Sequence, residues 1–166
     1  MAITMPKIEV TFRQKATSLI ARSERGVAIL LIRDDTNQEF THKQYTDLSA
    51  LEADKALYTT ENYNAIGDML AFAPYQAHVF RLGTEGTLGD ALSEVGRTVK
   101  TGWLAIAGQN ADDGAALASW VKAQAAKAKS YKCIVHNVTP LPDDMHVVHF
   151  VNEKVTFTDE RGEQGG

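Results

Sequence analysis

Val27 to Ile32 form an unbroken run of six apolar residues inside the stretch GVAILLIRDD, and nothing else in the sequence constrains the fold as strongly. The run is stopped by Asp34, Asp35 and a polar turn. A short continuous run rich in Val and Ile reads as a strand covered on both faces, the habit of a parallel or mixed central sheet. Its length also excludes a membrane helix, which needs about 20 apolar residues.

The pattern that follows alternates strands with amphipathic helices. Thr59 or Thr60 can cap a helix carrying Tyr63, Ile66, Met69, Leu70 and Ala73 at helical spacing, stopped by Pro74. AHVFRL (77–82) is a short strand. Thr87 caps a second helix, with Leu88, Ala91, Leu92, Val95 and Val99 on one stripe. GWLAIAG (102–108) is a buried strand. Asn110 or Asp112 caps a third helix with Leu117, Trp120, Val121, Gln124 and Ala128 on one side. YKCIVH (131–136) is another strand, and MHVVHFVN and EKVTFTD form a further strand pair. The expected fold is α/β, a mixed central sheet with flanking helices. Its core over residues 26–136 is expected to hold Val27, Ile29, Leu31, Leu92, Leu104, Ile106, Trp120 and Ile134.

Before this body lies KIEVTF (7–12), where Ile8, Val10 and Phe12 share one face and Lys7, Glu9 and Thr11 the other. That alternation marks a strand wet on one side. RQKATSLIARSER separates it from the body, so the strand stands apart as an extended N-terminal arm. Three regions follow: the arm at 1–25, the α/β domain at 26–158, and a polar, flexible tail at 159–166 with nothing to pack.

Composition narrows the function. The chain has 166 residues, 44% hydrophobic and 23% charged, which suits one folded domain at roughly 150 residues per domain. Lys and Arg number 17 against 21 Asp and Glu, a net charge of −4, which argues against an electrostatic nucleic-acid binder. A single cysteine, Cys133, excludes a disulfide framework and any cysteine-rich zinc site. No basic segment followed by an apolar one opens the sequence, so no signal peptide is expected. The expectation is a soluble, acidic, cytosolic protein.

Several constellations bear on possible chemistry. Gly83, Gly86 and Gly89 lie between a strand and a helix, where a phosphate could be cradled; their spacing is neither the dinucleotide fingerprint nor a P-loop, and a strand-to-helix turn explains them. His146 and His149 are three apart in a β-branched stretch, which sends the rings to opposite faces and away from a shared metal. The other histidines, His42, His78 and His136, belong to no motif. Asp34-Asp35, Asp112-Asp113 and Asp143-Asp144 sit at element ends, where turns and caps account for them. Cys133 reads as an inert core thiol and Trp103 and Trp120 as core. No converging nucleophile, base and oxyanion-hole set is visible. No catalytic residue, cofactor or metal is expected.

The opening carries a resemblance. MPKIEVTF, the step Ser23-Glu24-Arg25-Gly26 into VAILLIRDD, TTENYNAIGDML before AHVFRL, GDALSEV, and GWLAIAGQNADDGAALASWVKAQAAKAKSYKCIVHN together resemble contractile phage tail sheath proteins of the myophage and phage-tail-like bacteriocin type. The similarity spans roughly residues 5–158 and rests on ordered segments, not on a catalytic signature. It implies a sheath-type, subtilisin-like topology without protease residues. It also implies a structural subunit in the tail of a virion or phage-tail-like particle, assembled in the bacterial cytoplasm. Copies would stack helically around an inner tube, bound also by baseplate proteins, and contract to drive the tube through an envelope. The arm residues Ile8, Glu9, Val10, Thr11 and Phe12 would add a strand to a neighbouring subunit's sheet edge. Sheath subunits of this type continue into a C-terminal domain, whereas this sequence stops at GEQGG. Two other readings stay open: a small flavodoxin-like nucleotide- or phosphate-binding enzyme with its site near Gly83 or Gly108, and a non-enzymatic assembly module.

Overall fold

A computed structural model describes residues 26–83, 86–158 and 160–165. The arm strand at Ile8–Phe12 therefore lies outside the described residues. The elements run β1 (Val27–Arg33), β2 (His42–Tyr45), α1 (Leu48–Ala53), a 3₁₀ turn (Lys55–Leu57), α2 (Thr60–Ala71), β3 (Gln76–Leu82), α3 (Leu88–Thr98), β4 (Gly102–Ile106), α4 (Ala111–Ala125), β5 (Tyr131–His136), β6 (Val147–Phe150), β7 (Lys154–Thr156) and β8 (Glu163–Gly165). Six strands form one mixed sheet in the order β2-β3-β1-β4-β5-β6, with only β2 antiparallel to its neighbour. The parallel part, β3-β1-β4-β5-β6, has the strand order of a doubly wound sheet whose direction of winding reverses between β1 and β4.

β1 sits inside this sheet because its side chains are apolar on both faces. Ile29 and Leu31 pack with α3, α4 and β5 in one core, while Leu30 and Ile32 join Leu51 of α1 and Ile66 and Leu70 of α2 in the other. Each long helix begins at a side-chain cap. Thr59 accepts from the Asn62 amide at 3.3 Å and Thr87 from the Asp90 amide at 3.2 Å. Asn110 accepts from the Asp113 amide at 2.8 Å, and Asp113 reciprocates in a capping box. At Gly102, φ is +153°, and a Cβ there would lie 2.9 Å from Cδ1 of Ile29 and 3.0 Å from the Val27 carbonyl. Glycine is what lets β4 come against β1.

The expected strands and long helices are present to within a few residues, and four details differ. Trp103 and Ile134, expected in the core, are 40% and 45% exposed. Both project to the side of α1 and α2, and among the described residues that core takes in Ala105 of β4 but neither Trp103 nor Ile134. Val27 and Trp120 pack against the core from partly buried positions. MHVVHFVN and EKVTFTD do not pair with each other: β6 adds to β5 in parallel, and β7 pairs with β8 in a separate hairpin. The stretch expected to be a tail with nothing to pack thus supplies β8. It also supplies Arg161, whose guanidinium bonds Asp68 of α2 at 2.6 Å and lies 3.9 Å over the Phe157 ring. β2 and α1, built from the polar stretch after Asp35, had no signal in the hydrophobic pattern.

Candidate interaction surface

In a doubly wound sheet the crevice beyond the strand ends, where the winding reverses, is the usual ligand position. Here it is filled from within. Arg33, at the end of β1, makes a two-pronged ion pair with Asp113 in the first turn of α4, at 2.7 and 2.8 Å. The Arg33 hydrogen bonds hold the Asp113 carboxyl below its ordinary range, outweighing its burial. The positive end of α4 is therefore neutralised by its own capping carboxylate.

Asp34, only 2% exposed, is held just as fully. It accepts from the Thr59 amide at 2.9 Å, the Thr36 amide at 2.9 Å and the Asn62 side chain at 2.8 Å. Burial pushes its carboxyl up, but these donors hold it below the usual carboxylate range. Its role is to tie the end of β1 to the start of α2. Asp144 likewise bonds the amide and ring of His146, both at 2.8 Å.

At the glycine turn, the Gly86 amide donates to the Gly83 carbonyl at 2.8 Å. A Cβ on Gly83 would lie 3.2 Å from the Asp35 carboxylate. With Asp90 in the first turn of α3, acidic side chains flank the place a phosphate would need, and they repel one. Cys133 is fully buried, and burial pushes its thiol up to about 12, far from a nucleophilic thiolate.

His146 and His149 do not converge; His149 accepts from the Val138 amide at 3.0 Å. Among the described residues, no group of three or more His, Cys, Asp or Glu could hold a metal. A different pair does meet. His42 Nε2 and His78 Nδ1 lie 2.9 Å apart across the β2–β3 ladder, with His42 stacked on Phe80 at 4.4 Å. Burial lowers both imidazoles, and the charge of His42 takes His78 further down, to about 4. Glu94 pulls His42 the other way. The two residues are 36 apart in sequence, so only the β2–β3 register could have revealed the pair.

What the surface offers instead is apolar area and a strand edge. Among the described residues, β5 and β6 are covered on one face alone, and β4 meets the opposite core at Ala105. On the other, Trp103, Ile134, Val148 and Phe150 are 40–46% exposed, with Phe150 against His136 at 6.1 Å. Among the described residues β6 ends the sheet, with its outer backbone edge facing away from β5. An exposed edge bordered by apolar side chains is a template for adding a strand. The alternation in YKCIVH carried a trace of this: Tyr131, Cys133 and Val135 are buried, while Lys132 and Ile134 are exposed.

No family model matches the chain, and no curated protein matches it. No helix among the described residues is long and apolar enough to cross a membrane.

Proposed function

We propose that this chain is a non-catalytic structural subunit of the contractile tail sheath kind, built to assemble with copies of itself. The observation that carries the reading is the β6 edge, unpaired among the described residues, beside Val148 and Phe150. Residues Ile8–Phe12 match that edge: one apolar row can continue the Val148 and Phe150 row, and one polar row can face solvent. Backbone hydrogen bonds would supply the affinity and the side-chain alternation the register. The resemblance of ordered segments to sheath proteins supports the same reading, as does the self-neutralised crevice at Arg33 and Asp113. In such a particle the partners are neighbouring copies, the inner tube and the baseplate.

The test is to delete residues 1–14. The body should keep its far-ultraviolet circular dichroism and melting point, while tubes, rings or polymers seen by electron microscopy of the full chain disappear. Proline at Val10 should act likewise by removing a ladder donor. Assembly that survives both changes would sink the reading.

The strand order favours one alternative, a flavodoxin-like nucleotide or phosphate binder. A thermal-shift screen with nucleotides and flavin decides it, because a ligand at 100 times its Kd stabilises by about 2.7 kcal/mol. No shift is expected.

A further inference from the structure

We propose that β2 is an acid-released edge strand: the His42–His78 pair holds it to β3 while a single hydrogen lies between the two rings, and lets it go once both rings are cationic. This inference does not rest on assembly and concerns the single subunit.

β2 is lightly held. It pairs with β3 alone, over four residue pairs from His42 to Tyr45, and ends the sheet on that side among the described residues. The chain before it, residues 35–41, is exposed or half-buried. Tyr45 is buried, and its hydroxyl meets Asp54 at 2.9 Å and Tyr58 at 2.7 Å. The His42 end is therefore the one that can lift, with Tyr45 as the hinge.

The two facing nitrogens, 2.9 Å apart, need a hydrogen on one and a lone pair on the other. One added proton leaves that bond intact, because an imidazolium donates to a neutral ring. Glu94 of α3 draws this first proton to His42, and His78 can turn its remaining hydrogen toward Gln76 Oε1 at 3.4 Å. A second proton puts hydrogens on both facing nitrogens and like charges in contact, so no acceptor is left. The groups around the pair do not absorb that charge. Glu94 already accepts from Arg97 and Thr98, and Asp90 from Thr87. β1 sets apolar Ile29 beside His78, and on the other face of the ladder Lys43 is paired with Asp54. Burial and the charge of His42 hold the His78 ring down to about 4, which sets the acid range.

On that other face, lifting is partly compensated. Arg81 is 7% exposed, and its guanidinium lies 4.1 Å from the Phe40 ring. It donates to the Leu57 carbonyl at 2.6 Å, but its Nε and Nη1 are buried without a hydrogen-bond partner. Buried donors without acceptors are costly, and water relieves them. As β2 lifts and takes Phe40 with it, both nitrogens reach water, and β3 is left as the edge of the sheet.

NMR of the full chain, titrated from about pH 6.5 to 3.5 across the histidine range, tests this. Ring nitrogen shifts report when each histidine takes its proton, and the nuclear Overhauser contact between the stacked His42 and Phe80 rings reports closure. The contact should survive the first protonation and vanish with the second, while contacts among Ile29, Leu104 and Val121 remain. In His78→Gln, where one ring of the pair titrates, the contact should persist over the same range. A parent contact that outlasts the second protonation would overturn the proposal, as would one lost only together with the core, or one lost equally in His78→Gln. Should that variant fail to fold, hydrogen exchange of the parent decides. With both rings charged, the Lys43 and Val79 amides, opposed in the ladder, should exchange freely while the β1–β4 ladder stays protected. Joint retention or joint loss of protection also overturns it.

Discussion

The two halves of the central sheet are built from similar strands and finished differently. On the β2-β3-β1 side, α1 and α2 cover one face and α3 packs on the other, and Leu30, Ile32, Ile66, Val79 and Phe80 are all buried. On the β4-β5-β6 side, α3 and α4 cover one face and the opposite face exposes Trp103, Ile134, Val148 and Phe150. The connection from β5 to β6 is the reason. It runs through residues 137–146 without a helix, so nothing in that crossover covers the second face. The closed half holds the fold together; the open half is where binding surface is left over.

The comparison breaks first if the closed half proves soft. Ile66→Ala, at a fully buried site, should cost about 2–5 kcal/mol in urea unfolding. A cost near zero would mean that α2 is not docked. Next, Asp113→Ala removes the Arg33 partner and the α4 cap together, and should cost about 1–3 kcal/mol. In a double-mutant cycle with Arg33→Ala the two losses should fall short of adding; full additivity would mean that the ion pair contributes nothing.

A smaller effect concerns pH. An unfolded histidine takes its proton near 6.5, while His78 in the fold does so at about 4. The unfolded state therefore binds more protons between those values. Stability is full above pH 6.5 and falls as the pH drops toward 4, by at most about 1.4 kcal/mol per pH unit. His78→Gln should flatten that slope; an unchanged slope would place its origin elsewhere. Smallest of all, Val148→Ala should change monomer stability by no more than about 0.5 kcal/mol. A larger loss would show that the β6 face is already covered in the free subunit.

The alternation of strands and helices was legible because each long helix carries its own cap and stripe, and because β1 is apolar on both faces. The exposure of Trp103 and Ile134 was not, since an apolar residue in a strand reads as core until the helix above it is found to be missing. β2 escaped notice because HKQY has one buried residue, Tyr45, and gains its place by pairing with β3. The filled crevice was equally hidden. Arg33 and Asp113 are 80 residues apart, and Asp113 reads first as a cap, which it also is.

The position of Gly26 decides how the domain would bear tension. It opens β1, which lies between β3 and β4 and runs parallel to both, in register from Val27 to Arg33 on one side and from Ala28 to Leu31 on the other. A pull entering there runs along the strand and loads the slanted ladder bonds in shear. Bonds on both sides are then sheared together and must give way together. The same pull on β2, held by β3 alone, would load a single ladder of four residue pairs. Load arriving through Gly26 thus meets an inner strand and is shared between two ladders.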